Sequence, residues 1–92
     1  MKRHVKIYLD AMGYDTSDFI PCEVCGAEGV DVHHIIFRSH GGSDTIDNLM
    51  ALCRECHNRE HFGRAKGTEE MQRIHQAFSN RKKMDDIKWV GL

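Results

Sequence analysis

The first segment of the chain has apolar residues at helical spacing. Four of them occupy positions i, i+3, i+4 and i+7, namely Val5, Tyr8, Leu9 and Met12. This spacing places them on one face of a helix. Gly13 follows, and glycine often ends a helix because it adopts the left-handed conformation without strain. The pattern predicts an N-terminal helix over residues 3–12.

The middle of the chain predicts two strands joined by a long polar loop. Residues 30–36 are rich in β-branched side chains, which favour a strand. Residues 37–47 are polar and contain Gly41-Gly42, and they predict a loop. The short apolar run at 48–52 predicts the returning strand.

Helical patterns follow the second strand. Residues 54 to about 66 predict one helix, which Gly67 would end. Thr68 is an expected N-cap, and Glu69 and Glu70 follow in the first turn, where acids suit the helix dipole. A C-terminal helix over about 68–82 is therefore expected, and the fold class is small α+β.

Length and hydropathy limit the function classes. The chain has 92 residues, 40% of them hydrophobic, which predicts one domain over 1–92 with its core at about 20–66. No apolar stretch approaches the roughly 20 residues of a membrane helix, so no membrane partner is expected. The N-terminus lacks the apolar run of a signal peptide. We therefore expect an intracellular protein, in which cysteines stay reduced.

Charge is distributed unevenly along the chain, although the net charge is only −1. Residues 54–83 contain eight Lys or Arg and four Asp or Glu, whereas residues 10–31 contain six acids and no Lys or Arg. A basic C-terminal half is compatible with a surface that faces DNA. Ordinary solvated helix faces explain the same charges equally well, so both interpretations stay open here.

The four cysteines form two C-x-x-C pairs with 27 residues between them, Cys22 with Cys25 and Cys53 with Cys56. Two such pairs supply four thiolates to one tetrahedral zinc ion. Two disulfides would need an oxidising compartment, and a redox pair would leave the second motif unexplained. The pattern predicts a zinc site that is structural, because four cysteines leave no open coordination position.

Histidines cluster around these cysteine pairs. On a strand, His33 and His34 point to opposite faces, whereas on a helix His57 and His61 share one face. The three imidazoles of His33, His57 and His61 would form a catalytic type of metal site with an open position for a phosphate oxygen. The other histidines are interpreted as ordinary surface or core residues: His4, His40 and His75.

The order of these motifs resembles the HNH endonuclease family, also called ββα-metal or His-Me finger nucleases. C-x-x-C-G, V-H-H-I, G-G-S-D and N-L-M-A-L-C-R-E-C-H follow one another within residues 20–62. The resemblance implies a hairpin and a helix around one divalent metal, here with a four-cysteine zinc site and flanking N- and C-terminal helices.

The resemblance also implies roles for single residues. His33 and His57 would be metal ligands, His34 the general base, and Asn48 the residue that constrains the hairpin loop and orients His34. Bacteriocin nucleases of the family have a further helical histidine where His61 falls. Three imidazoles suit zinc, nickel or manganese, whereas two imidazoles with several waters suit magnesium or manganese.

This chemistry predicts an endonuclease that nicks or cleaves DNA. His34 would take a proton from water, Asn48 would accept a hydrogen bond from its ring, and the metal would act as Lewis acid on the phosphate. Arg38 is a candidate phosphate clamp. Four further residues are candidates for contacts with backbone phosphates, which carry no sequence information: Arg54, Arg59, Arg64 and Lys66. Low intrinsic sequence specificity is therefore expected.

A non-catalytic, zinc-ribbon-like module that binds nucleic acid or protein is the alternative function. The cysteines alone fit it equally well, but such a module has no need for His33, His34, Asn48 and His57 together. Expected partners are DNA and a larger protein such as packaging or restriction machinery, with the chain a monomer or weak dimer. The expected location is the cytoplasm of a bacterium or a phage-infected host.

Overall fold

The computed structural model describes residues 1–62 and 66–90, without the side chains of residues 61–62 and 84–90. Its elements are helix α1 (Arg3–Met12), strands β1 (Asp31–His34) and β2 (Leu49–Leu52), and helices α2 (Arg54–Phe62) and α3 (Thr68–Val90). Two short 3₁₀ turns, Arg38–His40 and Ile46–Asn48, lie in the loop between the strands. The expected small α+β fold, with a hairpin followed by a helix, is confirmed.

Helix α1 packs against one face of the hairpin. It spans the range that its apolar spacing predicts, and Gly13 ends it with a left-handed φ of 75°. Its residues Tyr8 and Leu9 form a buried cluster with Leu49 and Ala51 of β2. This packing fixes the start of α1 beside the end of β1.

The opposite face of the hairpin packs against the cysteine pairs and α3. Met50 and Leu52 lie here with Cys22, Ile35 and Met71 in a second buried cluster. Side chains alternate between the two faces of a strand, and all four residues of β2 are buried because both of its faces are covered. The hairpin is therefore the central layer of the described fold.

The elements differ in length from their predictions. β1 is shorter than the predicted 30–36 because the Asn48 side chain bonds both backbone groups of Ile36, at 2.7 and 3.0 Å, and replaces the strand ladder there. α3 extends to Val90, beyond the predicted end at 82. The predicted extension of α2 towards residue 66 crosses residues 63–65, which lie outside the described residues.

A buried polar network joins the two clusters through Glu23. Its carboxylate accepts hydrogen bonds from the Tyr8 hydroxyl at 2.6 Å and from Nδ1 of His75 at 2.7 Å. Nε2 of His75 donates to the carbonyl of Ile46 at 2.7 Å. Neither a carbonyl nor an ionised carboxylate donates a proton, so both bonds together require the imidazolium form of His75. His75 is thus a structural residue, as its isolated position in the sequence suggested.

The charge of His75 makes stability depend on pH. Burial lowers the pKa of His75, but the hydrogen bond and the negative charge of Glu23 outweigh burial and raise it above its usual value. A raised pKa stabilises the fold fully below the unfolded value of about 6.5, and this contribution is lost as pH rises through the folded pKa. We expect His75→Gln to lower the free energy of unfolding most near pH 6 and progressively less above it.

Urea denaturation of zinc-loaded protein at several pH values measures this difference. Comparing each variant with wild type at the same pH cancels the pH dependence of metal binding. His40→Gln is the matched control, because His40 is exposed. A gap between wild type and His75→Gln that stays constant from acid to alkaline pH would contradict a charged His75.

Candidate metal centres and active-site cleft

The four cysteine sulfurs meet at one point. All four Sγ atoms lie within 4.8 Å of one another, and the Sγ atoms of Cys25 and Cys53 are 3.6 Å apart. The first pair forms a tight turn in which Gly26, at φ 82°, donates its N–H to the carbonyl of Cys22. The second pair lies where β2 ends and α2 begins. All four cysteines are free thiols.

The surroundings of these thiols fit a cation. Burial raises the pKa of Cys22, but the backbone N–H groups of Cys25, Cys53 and Val24 outweigh it and lower that pKa to about 7. Burial raises the pKa of Cys56 instead, and the neighbouring thiols raise it further. Four thiolates this close need a positive charge among them, since only the thiolate form binds a metal. The donor set therefore fits a structural metal.

A second group of metal-binding side chains lies where β1 meets α2. Asp31 and His33 point to the same face of β1, and His57 of α2 packs against them. The ring centroids of His33 and His57 are 5.3 Å apart, and Nδ1 of His57 lies 2.9 Å from the Asp31 carboxylate. That hydrogen bond orients the His57 ring so that Nε2 is the nitrogen left for a metal.

His34 lies on the opposite face of β1 and is held by an acid in the loop. Its Nε2 is 2.7 Å from Oδ1 of Asp44. Arg38 also donates to Asp44, with Nη2 at 3.0 and 2.9 Å from its two oxygens. The hydrogen bond from His34 lowers the pKa of Asp44 and that from Arg38 lowers it further, against the effect of burial. Asp44 is thus a carboxylate that fixes both side chains.

Asn48 constrains the loop, but it does not contact the ring of His34. Its amide bonds both backbone groups of Ile36, and Nδ2 also donates to the carbonyl of Ser43 at 2.9 Å. Because the amide is occupied by the backbone, the expected hydrogen bond from Asn48 to His34 is absent. Asp44 occupies that position. The loop also needs Gly42, since a Cβ there would overlap the carbonyl of Ile36.

One cleft brings the two histidine groups together. It has a volume of about 390 Å³ and is lined by Val32, His33, His34, Phe37, Arg38, Ser39 and His57. His33 and His34 reach it from opposite faces because the cleft lies at the end of the short strand. A bound phosphate there would lie near the His33–His57 pair and near His34.

The other predicted DNA contacts lie elsewhere. Arg54 and Arg59 are exposed on α2, and Lys66 is half-buried with its backbone N–H on the Glu60 carboxylate. None of these three lines the cleft. The side chain of His61 and the whole of Arg64 lie outside the described residues, so their predicted roles stay predictions.

Sequence reasoning assigned no role to two acids of the site, Asp31 and Asp44. Asp31 precedes His33 by two positions, which places both on one strand face, and this spacing was a usable signal. Asp44 lies ten residues after His34, at the end of G-G-S-D, and no periodicity connects the two. Only the folded loop brings that acid to the imidazole.

Comparison with known proteins identifies the class. The family model of the HNH endonuclease matches residues 22–63, which include both cysteine pairs, the hairpin and most of α2. Residues 22–63 of this chain therefore belong to the HNH endonuclease family, and they form a nuclease domain of that type.

Three curated relatives are similar to parts of the chain. The type IV methyl-directed restriction enzyme EcoKMcrA of Escherichia coli K12 is 41% identical over 61 residues, which are 54% of this chain and 22% of that protein. Anaredoxin of a Nostoc species is 50% identical over 34 residues, 37% of this chain and 45% of that protein. The probable mobile endonuclease C of Enterobacteria phage T4 is 50% identical over 38 residues, 41% of this chain and 18% of that protein.

The matched segments thus cover less than half of each relative. In the part of the chain that the structure describes, no helix combines the length and apolar character needed to cross a membrane.

Proposed function

We propose that this domain is a metal-dependent endonuclease that hydrolyses phosphodiester bonds of DNA. The observation that carries the proposal is one cleft in which His34, held by Asp44, lies beside the His33–His57 pair. A base next to a metal-binding pair is the arrangement that hydrolysis of a phosphodiester requires. The endonuclease and restriction enzyme among the relatives support DNA as the substrate.

His34 is the proposed general base. Asp44 accepts the hydrogen bond from Nε2–H, so Nδ1 keeps its lone pair and takes the proton from the attacking water. A carboxylate behind the imidazole also stabilises the imidazolium that forms. We therefore assign to Asp44 the tautomer-fixing role that the sequence suggested for Asn48. Asn48 acts indirectly, by holding the loop on which Asp44 lies.

His33 and His57 are the proposed ligands of the catalytic metal, with Asp31 orienting His57. They fit this role because their rings lie edge to face at 5.3 Å and line the same cleft. A divalent metal bound there would act as a Lewis acid on the scissile phosphate and the leaving oxygen. His61 stays a proposed third ligand. Magnesium, manganese, nickel and zinc all remain within the proposal.

Arg38 is the proposed phosphate clamp of the cleft. Its side chain is 59% exposed while one end binds Asp44, so donors remain for a phosphate oxygen. Four residues away from the cleft are proposed to contact backbone phosphates: Arg54, Arg59, Arg64 and Lys66. Such contacts carry no base information, so we propose low intrinsic sequence specificity. Any sequence specificity would come from a larger protein partner, such as restriction or packaging machinery.

Plasmid nicking tests the metal requirement. We expect the protein to nick supercoiled plasmid with added Mg²⁺ or Mn²⁺, to stop after brief chelation, and to recover when metal is restored. His57→Ala should lower the nicking rate by at least roughly 100-fold because a metal ligand is lost. Asn58→Ala is the matched control, since Asn58 is the exposed neighbour on the same helix.

Zinc content is measured in parallel, so that loss of the structural metal is not mistaken for loss of the catalytic one. Full nicking by His57→Ala would contradict its role as a ligand. Binding of DNA without nicking in Mg²⁺, Mn²⁺, Ni²⁺ or Zn²⁺ would favour the zinc-ribbon-like binding module over the nuclease.

A further inference from the structure

A second cleft borders the first on the side of α1. It has a volume of about 560 Å³ and is lined by Lys2, Arg3, His4, His34, Arg38 and Asp44. His34 and Arg38 line both clefts. The two therefore meet at the proposed general base. Half of the second cleft comes from the start of α1, which precedes the family-matched residues.

The second cleft carries a surplus of positive charge. Lys2, Arg3 and Arg38 contribute three cationic groups and Asp44 one carboxylate, a surplus of two with the histidines neutral. The carboxylate of Asp44 already binds His34 and Arg38. The ion pairs found between described residues leave Lys2 and Arg3 without an acidic partner. Their charge is thus available to an anion in the cleft.

His4 connects the two walls of this cleft. Its ring centroid lies 4.8 Å from that of His34. Burial lowers the pKa of His4, and the nearby charges of His34 and Arg38 lower it further. The positive field around the base therefore extends across the cleft to α1.

The basic residues of α1 are held in place by the core. Tyr8, Leu9 and Met12 of this helix are buried, and the Tyr8 hydroxyl is fixed on Glu23. Lys2 and Arg3 are exposed at its first positions, where the first turn contains no acid. The helix thus holds two cations at the edge of the cleft, and they are not needed for its packing.

We infer that the start of α1 forms the second wall of the active site, where Lys2 and Arg3 bind the backbone phosphate next to the scissile one. The inference rests on the proposed function for the position of the scissile phosphate at His34. A DNA strand is the occupant that fits, because it presents further phosphates beyond the one in the first cleft. The contact positions the strand and does not read its bases.

DNA binding and nicking are measured on the full chain carrying Lys2→Gln and Arg3→Gln together. Binding is followed by anisotropy of a short labelled duplex, without added divalent metal, over a range of salt concentrations. Arg81→Gln with Lys83→Gln is the matched control, because both residues are exposed on α3 and line neither cleft. Both double variants remove two positive charges.

We expect the α1 variant to bind about tenfold more weakly at low salt, and its salt dependence to fall by one to two phosphate contacts, each worth about 0.9 in slope. The control should change less in both. Equal effects in the two variants, or no binding of the duplex by wild type, would overturn the inference. Weaker binding by the α1 variant supports it even where wild type does not nick, and that combination contradicts only the proposed function.

Discussion

The His34→Ala variant is expected to lose nicking activity by roughly 10²–10⁴-fold, the usual contribution of a general base. His34 is the residue in the cleft whose second ring nitrogen is fixed by a carboxylate, so its removal leaves the attacking water without a proton acceptor. Its neighbours at the metal pair, His33 and His57, stay in place. The variant is therefore expected to bind DNA and metal while its chemical step is slow.

Rates of supercoiled plasmid nicking under saturating protein measure this loss. His40→Ala is the matched control, since His40 lies on the same loop but lines neither cleft. Asp44→Asn should fall between the two, because an amide no longer stabilises the imidazolium but keeps the loop shape. Wild-type nicking by a folded His34→Ala protein would eliminate this residue as the base.

The Cys53→Ser variant is expected to lose its zinc and most of its folded population. Structural zinc in small zinc fingers contributes about 10–16 kcal/mol, which equals or exceeds the total stability of a typical domain at about 5–15 kcal/mol. Cys53 lies where β2 ends and α2 begins, and its sulfur is 3.6 Å from that of Cys25. Its loss therefore opens the connection between the hairpin, α2 and the first cysteine pair.

Metal analysis and circular dichroism of the purified variant test this expectation. Ala51→Ser is the control, because it also introduces a hydroxyl into a buried position of β2 without touching the sulfurs. That change should cost only about 1–3 kcal/mol and leave zinc bound. Retention of zinc and of the native spectrum by Cys53→Ser would contradict the four-cysteine site.

The parts of the fold that were predictable are those with a period or a sparse motif. The apolar spacing of α1 and the end at Gly13 follow from local rules, and the two cysteine pairs indicated one site. The length of β1 was not predictable, because it depends on the Asn48 side chain, which replaces the ladder at Ile36. A contact over twelve positions leaves no trace in the local pattern.

The candidate site shows the same division. His33, His34 and His57 were identified by residue type and order, and the structure brings them to one cleft. The partner of His34 was not identified, because an aspartate in a polar loop looks like any solvated acid. The proximity of His4 to His34 was equally hidden, since it arises only when α1 packs across the hairpin.

Glu23 has a consequence for how this domain is divided from its flanking helices. This one carboxylate lies between the first two zinc ligands, yet its partners are Tyr8 on α1 and His75 on α3, both outside the family-matched residues 22–63. Excising or grafting that segment alone would leave the carboxylate without either donor and the α1 face of β2 uncovered. The transferable unit is therefore larger than the motif that defines the family, and it begins with α1.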